Sequence, residues 1–352
     1  MGQPGFFDLS RRYDGLDSKK DPLVTLAAVI PWEMFRPQLL MALTAQNLRT
    51  PPCARRGAQG RKPWDEVLIF KALVVQALYN LSDEQMEYQL RDRLSFMRFL
   101  GLGLEDPVPD ATTLWLYREA LARAGAVEAL FAAFDGHLRD QGFLAMGGQI
   151  VDATIVAAPR QRNSRNENAD IKDGRTPEEW DAHPAKKRQK DTDARWTKKH
   201  GRSHYGYKNH LSMDRRHKLV RRYTVTHAAR HDSGELDAVL DRANTCSKVW
   251  ADSAYRSAEI EARLAEQGYK SCIHRRAARN HSLSAREEQG NKTRSRVRAR
   301  VEHVFGHQAT SMRGKLVRTI GLVRATMKIG MQNLAYNMSR FGYLRGMAAS
   351  PP

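Results

Sequence analysis

The chain has 352 residues, 41% of them hydrophobic, and a formal net charge of +19. That hydrophobic share excludes global disorder, and the length suits two domains. Cys53, Cys246 and Cys272 are odd in number and far apart, which excludes a disulfide scaffold and a cysteine-type zinc site and suits a reducing compartment. No apolar run reaches the ~20 residues of a membrane helix. The best window, Val67 to Tyr79, is interrupted by Lys71 and Gln76. Met1-Gly2-Gln3-Pro4 lacks the basic and apolar regions of a secretory signal, so a cytoplasmic location is expected.

Charge is uneven along the chain. Residues 1–147 hold 17 Lys and Arg against 18 Asp and Glu, whereas residues 148–352 hold 41 against 21. An excess so localised repels itself. It points to a polyanionic partner, most commonly the phosphate backbone of nucleic acid. A merely soluble basic surface, or one meant for anionic lipid, is the alternative.

Residues 1–22 read as a loose arm with Phe6, Phe7 and Leu9 as an apolar anchor, ended by Asp21-Pro22. Leu23 to Ile30 starts a helix that Pro31 stops. Residues 49–63 form a basic linker rich in Pro and Gly. From Pro63, helical spacing runs through Val67, Phe70, Val74, Leu78 and Leu81. Ser82 with Gln85 predicts a capping box for the next helix, carried on by Met86, Leu90, Leu94 and Met97 and ended by Gly101 and Gly103. Asp110 caps a third helix with Leu114, Tyr117 and Leu121. Short helices with tight turns suit a helix-turn-helix unit, although near-neutral charge argues against this region as the main phosphate contact.

At Gly147-Gly148 the period changes from 3.6 to 2. Gln149 to Val156 predicts a strand, with Val151, Ala153 and Ile155 on one face and Ile150, Asp152 and Thr154 on the other. Pro159 to Arg202 has 44 residues, seven of them apolar or aromatic and 13 Lys or Arg. It reads as a loop or flexible tongue without a core of its own. Strands at Tyr205–Met213 and Lys218–Thr226 flank a hairpin turn at residues 214–217. Asp232 with Glu235 predicts a helix cap, the helix running to about Ala243. A strand at Lys248–Ala254, a helix at Ser257–Gln267, a strand at Tyr269–His274 and a helix from Lys292 to about Gln308 follow. A last helix carries the core stripe Ile320, Val323, Met327, Met331, Leu334, Met338 and Phe341. The expected class is α/β, a mixed sheet flanked by helices and preceded by an all-α domain. The expected domains are 1–147 and 148–345, the second with a basic insertion at about 159–204, and a tail at 346–352.

Two acids stand out because Asp is depleted in strands. Asp152 interrupts the apolar first strand, and Asp252 follows Val249-Trp250-Ala251. In this strand order the first and fourth strands can lie side by side, bringing the carboxylates within a few ångströms. Such a pair repels, and a bound divalent cation relieves the repulsion. Glu302 is the third candidate. It flanks the helical stripe Val297, Val301, Val304 and Phe305, with Arg298 four residues back on the same flank. Three carboxylates suit Mg²⁺ or Mn²⁺, and two such ions about 3.5–4 Å apart activate an attacking oxygen and stabilise a leaving one in phosphodiester displacement. The plainer alternative makes the aspartates strand-end turn formers and Glu302 an i, i+4 partner of Arg298.

The segments FFD…DPL, VDATIVAAPRQRN, DTDARWTKKHGRSHYGYKNH, VWADSAYRS and VRARVEHVFG run in order through most of the chain. With them the chain resembles a bacterial insertion-sequence transposase of the DDE type, in the group of insertion sequence five. The resemblance implies an RNase H-like core with Asp152, Asp252 and Glu302 as its triad. It also implies cleavage at the element's ends and joining of a DNA 3′-hydroxyl to target DNA. The family's helix pattern is Y-x-x-R-x-x-x-E-x-x-x-x-x-x-K. Arg298 and Glu302 match it, Ser295 stands at the Tyr position and Ala309 at the Lys position, and Lys315 or Arg313 is a candidate replacement for that Lys. The insertion some relatives carry between the second and third acids is absent; here the insertion lies between the first two strands.

Residues 186–222 and 270–324 each hold 14 Lys and Arg against three acids. Lys198, Lys199, Arg202 and Lys208, interleaved with Trp196, Tyr205 and Tyr207, combine phosphate-binding charge with stacking surface. Arg294, Arg296, Arg298 and Arg300 crowd the helix of Glu302, and Arg294 and Arg298 are the expected DNA contacts there. His227/His231 and His303/His307 have i, i+4 spacing but no acid cluster beside them, which favours structural roles. Asp232 is a rival acid better suited to capping a helix. Three functions compete: metal-dependent DNA strand transfer, an RNase H-like nuclease that cuts without joining, and a non-enzymatic DNA-binding protein. Double-stranded DNA is the expected partner, bound at the bacterial nucleoid. Synapsis of two DNA ends implies at least a homodimer on DNA.

Overall fold

The computed structural model describes residues 8–19, 21–48, 63–199, 201–277 and 282–349. The Phe6–Phe7 anchor and nearly all of the basic linker lie outside them. The chain divides into two compact units, one of residues up to 133 with 337 onward, the other Phe134–Tyr336. The change of period at 147/148 thus falls inside the second unit, where it marks the first strand. Among the described residues no helix is long and apolar enough to cross a membrane.

The first unit is helical: α1 (Asp8–Ser18), α2 (Pro22–Val29), α3 (Arg36–Ala45), α4 (Glu66–Tyr79), α5 (Asp83–Asp92), α6 (Leu94–Leu100), α7 (Ala111–Arg123) and the start of α8 (Ala126–Asp140). Side chains at the starts satisfy the free N–H groups that open a helix. Asp65 accepts from Leu68, Ser82 and Gln85 form the expected capping box, and Asp110 accepts from Thr113. Trp32, Phe35, Phe70 and Phe99 meet in the core, with Trp32 edge-on to Phe99 at 5.2 Å.

The second unit is built on a six-stranded sheet: β1 (Gln149–Ala157), β2 (Arg195–Lys199), β3 (Arg202–Asp214), β4 (Val220–His227), β5 (Lys248–Trp250) and β6 (Lys270–Ser271). β3 lies antiparallel to β1 and to β4, while β5 runs parallel to β1 and β6 parallel to β5. The order β4-β3-β1-β5-β6, three antiparallel strands and then two parallel ones beyond β1, is the RNase H-like arrangement. β2 adds a hairpin onto the start of β3. The other helices are α9 (Arg165–Lys172), α10 (Pro184–Arg188), α11 (Leu236–Val239), α12 (Ala258–Glu266), α13 (Ala285–Arg298), α14 (Glu302–Ala309) and α15 (Leu322–Ala349). Val151, Val249 and Ala251 pack with Leu236, Val239, Ile260 and Leu264 of α11 and α12. Val156, Tyr205, Tyr207 and Val225 pack with Ala325 and Ile329 of α15.

Three expectations are corrected here. The stretch read as a loose arm carries a helix, α1. The tongue has its own small core: Trp180 and Ile171 are buried, and the Trp180 indole donates to Glu167, which Lys186 also holds. A charged stretch can bury one large ring when a partnered carboxylate satisfies its N–H. The helix expected from Lys292 to Gln308 begins earlier and is broken by a 3₁₀ turn at Ala299–Val301.

Candidate active site

The parallel pairing of β1 with β5 sets the level of the two aspartates. Gln149 lies opposite Val249 and Ile150 opposite Trp250, so Asp152 and Asp252 each follow two residues beyond the last pair. Val151 and Ala251 enter the core beneath α11 and α12. Alternation turns Asp152 to the other face of the sheet, where its Oδ2 accepts from Arg298 Nη2 at 2.9 Å, at the end of α13. Asp152 Oδ1 accepts the Ala153 N–H. Asp252 opens a 3₁₀ turn, with Oδ1 accepting from Ala254 at 2.7 Å. Burial pushes the Asp152 carboxyl above its ordinary range; the Arg298 charge and the Ala153 N–H oppose this, and the Asp252 charge adds to it.

Glu302 does not form a metal-holding group with this pair among the described residues. It is exposed at the start of α14, beyond the 3₁₀ break. Among the described residues no three His, Cys, Asp or Glu side chains stand close enough to hold one metal ion. The aspartates nonetheless fit a divalent cation by donor chemistry. They are neighbouring, hard-oxygen anions, one desolvated enough to raise its pKa and already drawing a guanidinium.

His274 belongs to the site, and no motif in the sequence marks it. Its Nδ1 meets the carbonyl of Ala251, the residue before Asp252, and its Nε2 meets Ser295 Oγ at 2.9 Å. Ser295, at the family's Tyr position, thereby ties α13 to the strand end that carries Asp252.

A cleft of about 650 Å³ opens along the far end of β1, lined by Thr154, Ile155, Ala157, Lys199, Arg202, His204, Ala309 and Lys315. Lys315 reaches it because residues 315–317 bond to Ala157 on both sides, at 3.0 and 2.8 Å. Of the two basic residues considered for the position of Ala309, Lys315 shares this cleft with it. Sequence reasoning misses His204, although it is two residues from Arg202 on the same strand.

Other expected DNA contacts are engaged elsewhere. Tyr205 and Tyr207 are buried, not stacking platforms. Tyr207 donates to Asp191 Oδ2 at 2.6 Å and Tyr205 to the Asp191 carbonyl at 3.2 Å. Burial, first, and Asp191 raise both phenols, Tyr205 to about 12. Lys208 pairs with Asp232 at 2.8 Å, and Arg298 holds Asp152. Arg294 donates to Asn291 and is half-buried. Lys198, Lys199, Arg202 and Trp196 are exposed. Asp232 is not the expected cap: His231 accepts the Ser233 N–H. His303 and His307 both pack on Tyr336.

A family model described as Transposase DDE domain matches residues 145–338. One described as Transposase domain (DUF772) matches residues 11–120. Among solved structures, the chain is similar to a piggyBac transposase in a synaptic complex with hairpin DNA, seen by cryo-EM. The identity is 12% and the TM-score 0.46, over 94% of this chain and 77% of that one.

Proposed function

Because the chain belongs to the transposase DDE domain family, we propose that it cuts the ends of an element of the insertion sequence five group and joins the freed 3′-hydroxyls to target DNA. Asp152, Asp252 and Glu302 are its catalytic carboxylates. The observation that carries this reading is the register that brings Asp152 and Asp252 level on neighbouring parallel strands, beside a cationic cleft. The ordered motifs VDATIVAAPRQRN, VWADSAYRS and VRARVEHVFG support the group.

In this reading Lys199, Arg202 and Lys315 hold the phosphate backbone and orient the scissile bond toward the aspartates. Asp152 and Asp252 would hold divalent cations, Mg²⁺ or Mn²⁺, with Glu302 as third ligand. Two such ions supply activation of the attacking oxygen and stabilisation of the leaving one. Arg298, bound to Asp152 at 2.9 Å, offsets the charge of that carboxylate. Two DNA ends held together require at least a dimer on DNA, at the nucleoid of a bacterial cytoplasm. A nuclease that cuts without joining is not favoured by the family.

Asp152→Asn, Asp252→Asn and Glu302→Gln should each lower cleavage at least about a hundredfold while leaving binding to an end-bearing duplex intact. Mn²⁺ should raise the melting temperature of the native chain and not that of the two aspartate variants. Cleavage that survives all three substitutions refutes the assignment. Pre-cut ends with free 3′-hydroxyls should be joined to a second duplex, which a simple nuclease does not do.

A further inference from the structure

Strand transfer needs two DNA backbones at one carboxylate pair, whereas hydrolysis needs one backbone and water. The cleft along β1 begins at Thr154, two residues past Asp152. A second cleft, of about 740 Å³, begins at Ser253 and Ala254, directly after Asp252. It shares no residue with the first. His231, Arg256, Ser257 and Arg276 also line it.

The chemistry of this second cleft suits a phosphate backbone. Arg276 is exposed and makes no ion pair with a described residue. Arg256 is held in place by the Ile273 carbonyl at 3.3 Å and by Glu261 at 3.4 Å, so the acid lining the cleft is already engaged. His231 uses Nδ1 on Ser233 and keeps Nε2 for a ligand. Ser253, Ala254 and Ser257 are small, which lets a sugar-phosphate chain approach the backbone beside Asp252. The charge is weaker than that of the first cleft, where Lys199, Arg202 and Lys315 pair with no acid among the described residues. That contrast fits a tightly held end and a transiently held acceptor.

We propose that the second cleft binds the acceptor duplex, so that the two clefts deliver the element's end and the target backbone to the aspartates from separate sides. This rests on the strand-transfer reading above. In the step it serves, the 3′-oxygen of the element strand gives up its proton and bonds to a target phosphorus. The bond from that phosphorus to the target strand's own 3′-oxygen breaks, and that oxygen leaves as a hydroxyl. No oxidant or reductant is required.

The test uses the full chain with three readouts: binding of an end-bearing duplex, nicking of an uncut end, and joining of a pre-cut end to plasmid DNA. Arg276→Glu should lower joining about tenfold while end binding and nicking stay within about twofold, and Arg276→Lys should restore joining. Lys199→Glu should lower all three. Retained nicking shows that Arg276→Glu is folded; should it fail to fold, His231→Glu carries the same expectation. The proposal is overturned if Arg276→Glu joins normally, or if it loses end binding as Lys199→Glu does. It is also overturned if nicking of flanked ends falls while pre-cut ends join normally, because the cleft then holds flanking DNA. If the native chain itself joins no pre-cut ends, the strand-transfer reading has failed instead.

Discussion

The hydroxyl of Tyr207 makes a buried carboxylate tolerable. Asp191 is itself buried and spends Oδ1 on the N–H groups of Asp193 and Ala194, leaving Oδ2 to Tyr207. Tyr207→Phe removes that donor and leaves an acceptor unsatisfied in a low-dielectric site. It should cost about 1–3 kcal/mol in urea unfolding with DNA affinity unchanged. Trp196→Ala should do the reverse, because Trp196 is exposed beneath Arg160 and offers a stacking face. Its loss should weaken DNA binding by about 1–3 kcal/mol with little change in unfolding. Equal DNA losses for both variants would return Tyr207 to the interface. The difference between the two rings is partly legible in the sequence. Tyr205 and Tyr207 share strand parity with Leu211 and Met213, which marks a buried face. Composition hides this, because Lys and Arg surround both tyrosines and their charge dominates the pattern.

At the scale of elements, β1 must pass very close to β3 for the cleft to form at its end. Gly206 sits at that crossing with φ of +148°, and a Cβ there would lie 2.3 Å from the Val156 carbonyl oxygen and 2.6 Å from the Ala158 nitrogen. Both neighbours are backbone and cannot swing aside. Gly206→Ala should therefore cost about 3 kcal/mol or more and loosen the end of β1. Gly174→Ala, also at positive φ but with nothing within 4 Å, should cost only about 1 kcal/mol. Comparable destabilisation at the two sites, measured by urea unfolding, would show that crowding at Gly206 is relieved. The pairing that brings Asp152 level with Asp252 is readable because two short apolar runs each end in an acid two residues beyond the pairing. Glu302 is harder. The apolar steps Val297, Val301 and Val304 run straight across a 3₁₀ turn of three residues, Ala299–Val301, which periodicity does not register. The core of the tongue is unreadable for another reason. One tryptophan, one isoleucine and one partnered glutamate form it, too few residues for any pattern.

For the whole molecule, net charge overstates what is available to DNA. Arg221 is buried against Asp135 and Asp214, Lys208 faces Asp232, and Lys186 faces Glu167. These cations are already paired with acids of the fold. The excess that remains for a backbone includes Lys199, Arg202 and Lys315 in the cleft along β1, none paired with an acid among the described residues. Each phosphate they neutralise releases condensed counterions, so the affinity for duplex DNA should fall steeply with salt. Replacing all three by Gln should reduce the slope of log K against log salt by about 0.9 for each phosphate no longer neutralised, between roughly 2 and 3 in all. Anisotropy titrations across about 50–200 mM salt read this slope directly. A slope unmoved by the triple replacement, with affinity lowered equally at every salt concentration, would mean that these side chains shape the cleft without touching phosphate. The backbone track would then have to lie along Lys198 and the exposed arginines of α13.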